Sequence, residues 1–153
     1  MSDMTFEAVA FSETATRSRV VARQFSIVVD EPAHLGGTDA GPNPVEYLLA
    51  SLVGCLNVVA HVVGAELGIT WRQLKISASG RLNPDRFLGR PTTDRAGFQQ
   101  IAVRLEVDTD APAELLSRWL KQIEQRCPVA DTLSGPTPVA LTYSSVVRKS
   151  EAG

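Results

Sequence analysis

The stretch from Pro44 to Leu67 constrains this chain more than any other. It is apolar nearly all round a helical projection, with Asn43 placed to cap it, Pro44 at its first helical position and Gly68 as its stop. A helix of that kind is either enclosed by other elements or spans a bilayer. A span needs ~20 predominantly apolar residues. Here Glu46, Ser51, Asn57, His61 and Glu66 interrupt the run, and polar groups inside lipid are costly. The expectation is therefore a helix wrapped by sheet, in part by a second chain, with no membrane role.

Strand patterns surround it. Met4 to Phe11, Arg17 to Arg23 and Phe25 to Asp30 read as three strands, with Val20, Val21, Phe25, Ile27 and Val29 as apolar positions. Asp30 to Pro44 is rich in Gly and Pro and reads as a loop. After the helix come a strand from Trp71 to Leu82, a polar loop from Asn83 to Gly97, and a strand from Phe98 to Val107. A helix starts at Asp110 or Ala111, with Leu115, Leu116, Trp119, Leu120 and Ile123 as its stripe. A short turn or helix follows Cys127-Pro128 to Ser134, and a last strand is expected over Pro138 to Val147. This order predicts an α+β fold with antiparallel pairing rather than alternating βαβ units. The 153 residues fit one domain, 1–153.

A net charge of -2 and a pI near 5.7 give no basic excess for a nucleic-acid partner. Met1 to Phe11 lacks a basic segment followed by an apolar run, so no signal peptide is expected. Two cysteines do not make a disulfide scaffold, and the expected compartment is the cytoplasm.

The two thiols carry the candidate chemistry. Cys55 lies midway along the apolar helix, on a face with Leu48, Ser51, Leu52, Val59 and Val62, while Glu46, Asn57 and His61 lie on a more polar side. In that setting it reads first as a small packing residue, an inert thiol with a raised pKa. Cys127 precedes Pro128 and fits the N-cap of the following segment, where it reads equally as an ordinary capping residue or as a thiol whose pKa the helix N-terminus and neighbouring Arg126 lower. Cys55, Cys127, His34 and His61 are zinc-ligand types, but no pair has ligand spacing, so no metal or cofactor is expected. His61 is expected as a hydrogen-bonded core or interface residue, and His34 as a loop residue. Leu35 to Gly41 lacks the endings of a phosphate loop. Arg81, Arg86, Arg90 and Arg95 read as solvated charges.

Gly41-Pro42-Asn43-Pro44-Val45-Glu46-Tyr47-Leu48-Leu49-Ala50-Ser51-Leu52-Val53-Gly54-Cys55 resembles the first-cysteine helix of the OsmC/Ohr family. Arg126-Cys127-Pro128-Val129-Ala130-Asp131-Thr132-Leu133 resembles its second-cysteine motif, and the intervening elements come in the family's order. The resemblance spans roughly Phe6 to Val147. It implies an intertwined homodimer with curved antiparallel sheets around a long central helix, and active sites at the dimer interface. It also implies a thiol-dependent reduction of hydroperoxides, with Cys55 peroxidatic, Cys127 resolving, and a lipoyl-type or other dithiol as reductant.

One departure stands out. The family's peroxidases carry a Glu directly after the Asn-Pro motif, paired with an Arg of the N-terminal strands. Here Val45 fills that place and Glu46 follows it, turned ~100° around the helix. Glu46 and Arg23 are the candidates for that pair, with Arg17 and Arg19 as other arginines available. Without that carboxylate, the same fold could instead bind a small apolar ligand, or act as a redox sensor oxidised without turnover.

Overall fold

The computed structural model describes residues 3–145. Its longest element is helix α1, Pro44–Glu66. Asn43 accepts from the Glu46 amide through its side chain at 2.9 Å, and Glu46 Oε2 accepts from the Asn43 amide at 2.8 Å. Two amide groups that the first turn leaves unpaired are thus satisfied reciprocally. Leu67 closes the helix and Gly68 takes a left-handed conformation, φ 68°, which a glycine adopts without a Cβ penalty.

The sequence between these ends is apolar all round, but only one side of α1 is covered. Leu52, Leu56, Ala60, Val63 and Gly64 are buried, at helical spacing. Val58 and Val62 face outward, 61% and 45% exposed. Among the described residues, strand β4 (Gln73–Arg81), helix α2 (Ala113–Arg126) and helix α3 (Pro128–Ser134) pack on its inner side. By length and composition α1 is apolar enough to cross a bilayer.

The architecture is mixed α+β, with two antiparallel sheets. Strands β1 (Val9–Ser12), β2 (Ser18–Ala22) and β3 (Phe25–Val29) form a meander in that order. β4 pairs with β5 (Gln100–Asp108), and its register sets Leu74 against Val107, Ile76 against Leu105 and Ala78 against Val103. The alternating apolar positions of both strands therefore share the face that meets the helices. The meander has no comparable backing. Phe11, Phe25 and Ile27 are exposed, and no extensive packing joins it to the helices or to the second sheet. Tyr47 of α1 does tie to it, donating its hydroxyl to the Val28 carbonyl at 2.8 Å.

The core forms where α2 crosses α1. Trp119 is buried and donates its indole N–H to the Ala60 carbonyl at 2.9 Å. Gly64 lets Trp71 lie against the helix, since a Cβ there would come within 2.5 Å of the ring. Ile123 and Cys127 continue the buried line from Trp119.

Two expectations from sequence need correction. The first strand begins at Val9, not Met4. The expected strand over Pro138 to Val147 is not formed over 138–145, and residues 146–147 lie outside the described residues. Val139, Leu141 and Tyr143 have the alternation of a strand, yet all are more than 80% exposed. Alternation without a partner edge does not make a strand.

The loop before α1 is organised by Asp30, whose side chain is fully enclosed. Its carboxylate accepts from the Thr38 hydroxyl at 2.6 Å and from the amides of Glu31, Thr38 and Ala40. The Thr38 hydrogen bond leads the causes that hold its pKa far below the usual carboxylate range, against the opposing effect of burial. A depressed folded-state pKa contributes stability above the unfolded value, ~3.9, and loses it as pH falls through the folded value. Asp30→Asn is expected to lower the thermal midpoint at neutral pH. Its midpoint should also fall less steeply than wild type below about pH 4, as measured by thermal melts across that range.

Candidate functional site

Cys127 occupies the corner between two helices. It ends α2, with its amide donating to the Ile123 carbonyl at 3.1 Å, and it caps α3, with Sγ accepting from the Ala130 amide at 3.4 Å. Pro128 at the first position of α3 has no amide to waste there, so the cap falls to the residue before it. The thiol is 1% exposed. Cys55, at the edge of the buried side of α1, packs against the same cluster and is partly exposed. The two thiols adjoin: both pack into one cluster, the Cys55 side chain is among the groups that act on the Cys127 thiol, and both are reduced.

The N-cap expectation for Cys127 holds, but its expected electrostatic consequence is reversed. Burial pushes the Cys127 thiol above its ordinary value; the Ala130 amide pulls against this, the Cys55 thiol adds to the rise, and the Val129 amide pulls down again. Desolvation of a thiolate outweighs two amide dipoles at the end of a seven-residue helix. Arg126 contributes nothing at the sulfur because it points elsewhere. Its guanidinium grips both carboxylate oxygens of Glu66, at 2.5 and 2.9 Å. That pairing lowers the Glu66 pKa and raises that of Arg126.

Glu46 is engaged in the capping box, with its carboxylate on the Asn43 amide. Arg23 sits in the two-residue turn between β2 and β3, in a left-handed conformation (φ 54°), with its guanidinium 5.1 Å from the Phe25 ring centroid. Neither is among the groups that act on the Cys127 thiol. Arg17 and Arg19 pair with Glu13. His61 sits edge-on to Trp71 at 4.9 Å, and its Nδ1 lies 2.8 Å from the Asn57 carbonyl oxygen. His34 lies in a short 3-10 turn, Ala33–Leu35. Among the described residues, no three His, Cys, Asp or Glu side chains cluster as a metal site.

Beside the thiols an open cleft of about 840 Å³ runs between α1, β5, α2 and α3. Leu52, Leu56, Leu105 and Ile123 form its floor, and Arg95, Glu124 and Asp131 lie at its rim. Ala130 links cleft and thiols, because it lines the one and donates its amide to the other. The 83–97 loop that supplies Arg95 is built rather than slack. Asn83 donates to the Asp94 carboxylate at 2.7 Å, and Arg86 to the Asp94 carbonyl at 2.8 Å. Sequence reasoning missed the Arg126–Glu66 pair and the Trp119–Ala60 bond. The motif position of Arg126 gave no hint of its direction, although Trp119 was marked by the helical stripe.

These features place the chain among small α+β proteins with two facing thiols. The family model described as OsmC-like protein matches residues 37–142, and the chain belongs to that family. A hydroperoxide reductase of Mycoplasma genitalium is 22% identical over 142 residues, covering 93% of this chain and 96% of that protein. The crystal structure of an OsmC-like protein from Mycoplasma pneumoniae superposes with a TM-score of 0.75 at 22% identity, covering 88% of this chain and 90% of the other. An organic hydroperoxide resistance protein from Elizabethkingia anophelis gives a TM-score of 0.65 at 19% identity, covering 88% and 91%. At these identities the structures show a shared fold.

The burial of Cys127 has a direct consequence in solution. In a Cys55→Ser variant, alkylation of Cys127 followed against pH should have its midpoint above the ~8.5 of a free thiol. A midpoint below that value would mean that the helix N-terminus outweighs burial.

Proposed function

We propose that this protein is a thiol peroxidase that reduces organic hydroperoxides, with Cys55 as the attacking thiol and Cys127 as the resolving thiol. The observation that carries the reading is the meeting of these two reduced side chains, one partly exposed and one enclosed. The Cys55 thiolate attacks one peroxide oxygen; the O–O bond breaks, and the departing alkoxide takes a proton to leave as an alcohol. Cys55 is then a sulfenic acid. The Cys127 sulfur attacks it, the S–O bond breaks, and water leaves as the disulfide forms. An external dithiol, lipoyl-type or another, restores both thiols by exchange and is itself oxidised. The apolar cleft favours alkyl hydroperoxides over hydrogen peroxide.

The names of the related hydroperoxide reductase and hydroperoxide resistance protein support this reading. It includes an intertwined homodimer, acting in the cytoplasm in defence against oxidative stress, with no membrane or nucleic-acid partner. The uncovered side of α1 and the unbacked meander are the surfaces that a second copy would cover. Glu46 supports the site by fixing the first turn of the helix that carries Cys55. Arg23, at the tip of the meander, is the cation that the dimer would bring to a thiol.

A second reading has its own observation. Val45 stands where the family's peroxidases carry a carboxylate, and the cleft could then hold a small apolar ligand, or the thiols could sense oxidation, with little turnover.

One equivalent of cumene hydroperoxide should remove two mass units from the wild type and leave a trappable sulfenic acid on Cys55 in Cys127→Ser. Cys55→Ser should lose nearly all peroxide consumption. Full activity in Cys55→Ser, or a wild type that stays reduced while a model thiol oxidises, would reject the peroxidase assignment. Sedimentation of the same samples should give the mass of two chains.

A further inference from the structure

The Arg126–Glu66 pair joins the two halves of the thiol site. Glu66 is the last residue of α1, the helix that carries Cys55, and Arg126 is the last residue of α2, directly before Cys127. Both guanidinium–carboxylate bonds are made, at 2.5 and 2.9 Å, so the contact is bidentate and directional. It is also partly exposed, 40% on the arginine and 50% on the glutamate, which limits its worth to global stability. Its value is better judged by what it holds in place.

Cys127 is a single extended residue (φ -83°, ψ 109°) between two helices, and Pro128 begins the second. Where its sulfur sits therefore depends on where α2 ends. Two contacts from α2 fix that end on α1. One is the Trp119 indole on the Ala60 carbonyl, two helical turns before the corner. The other is the Arg126 fork on Glu66, at the corner itself. The short helix α3 follows this corner and cannot set it, because its N-cap is Cys127.

We propose that Arg126 and Glu66 are positioning residues, an ion-pair clamp that holds the resolving thiol of Cys127 within reach of Cys55 and so sets the speed and extent of disulfide closure. The role concerns the second step of the proposed reaction and rests on that reading of the two cysteines. Neither residue touches peroxide. Losing the clamp should leave attack by Cys55 unchanged and slow resolution, since a displacement of an ångström at a reacting pair costs more than the lost contact itself.

The test separates closure from peroxide chemistry. The disulfide of the full-length protein is formed with diamide and equilibrated in glutathione buffers. Its closed fraction gives the effective concentration of one thiol at the other. Glu66→Ala and Arg126→Ala should each lower that value by about three- to tenfold, with thermal midpoints near wild type. The exchanged pair, Glu66→Arg with Arg126→Glu, should recover most of it. In a Cys127→Ser background, Glu66→Ala should leave the rate of sulfenic acid formation on Cys55 as it was. Single variants with wild-type effective concentrations, or an exchanged pair no better than the singles, would overturn the clamp. A wild type inert to hydroperoxide that still shows the drop and recovery would retire the peroxidase reading and support the clamp.

Discussion

The crossing of α2 over α1 at Ala60 determines most of what this chain can do. The Ala60 carbonyl belongs to the middle of a long helix, and the Trp119 indole reaches it from a helix more than fifty residues downstream. Such a buried donor needs an acceptor, and leaving either group unpaired would cost on the order of 1–3 kcal/mol. The crossing is tight because α1 offers small residues there, Ala60 and Gly64, and Trp71 fills the remaining side. Once Trp119 is seated, Ile123 follows one turn on, and Cys127 arrives beside α1 one further turn along. The meeting of the thiols follows first from how two helices pack.

Much of this was legible in the sequence because it is local. Asn43, Pro44 and Glu46 spell a capping box, and the box is present. The alternation within Trp71 to Leu82 and Phe98 to Val107 marks which residues face inward, and the ladder register over the shorter observed strands agrees. Cys127-Pro128 reads as a cap and is one. The features that escaped depend on distant partners. Arg126 was adjacent to Cys127 in sequence and seemed a source of positive charge for it, but a guanidinium on a long stem goes to the nearest well-placed carboxylate, and that is Glu66. Asp30 looked like an ordinary loop residue, although its carboxylate gathers four donors from 31–40.

The reversed expectation for Cys127 bears on the division of labour in the proposed reaction. A helix N-terminus and a neighbouring arginine are the usual means of making a thiolate. Here the arginine is held by Glu66, and burial overrides the amides. A thiol held protonated is a poor first nucleophile toward peroxide. It suits a resolving role, where it meets a sulfenic acid already in contact and needs to lose its proton only then. In the proposed reaction the partly exposed Cys55, and not the enclosed Cys127, receives the hydroperoxide.

The same burial pattern bears on assembly. Apolar residues in a finished monomer are expected to sit inside or to be scattered singly on the surface. Among the described residues this chain instead leaves three apolar stretches uncovered: Phe25 and Ile27 on one face of the meander, Val58 and Val62 on α1, and Val139, Leu141 and Tyr143 after α3. The first two carry the periodicity of their own elements and the third alternates without a partner edge, so each presents apolar surface that the described residues do not cover. The α1 face is the most telling, because Cys55 lies one turn before Val58, and in the proposed dimer whatever covers Val58 and Val62 also borders that thiol. In the proposed dimer, the contact that buries this apolar surface is therefore the one that keeps bulk water from the sulfenic acid until Cys127 has closed on it.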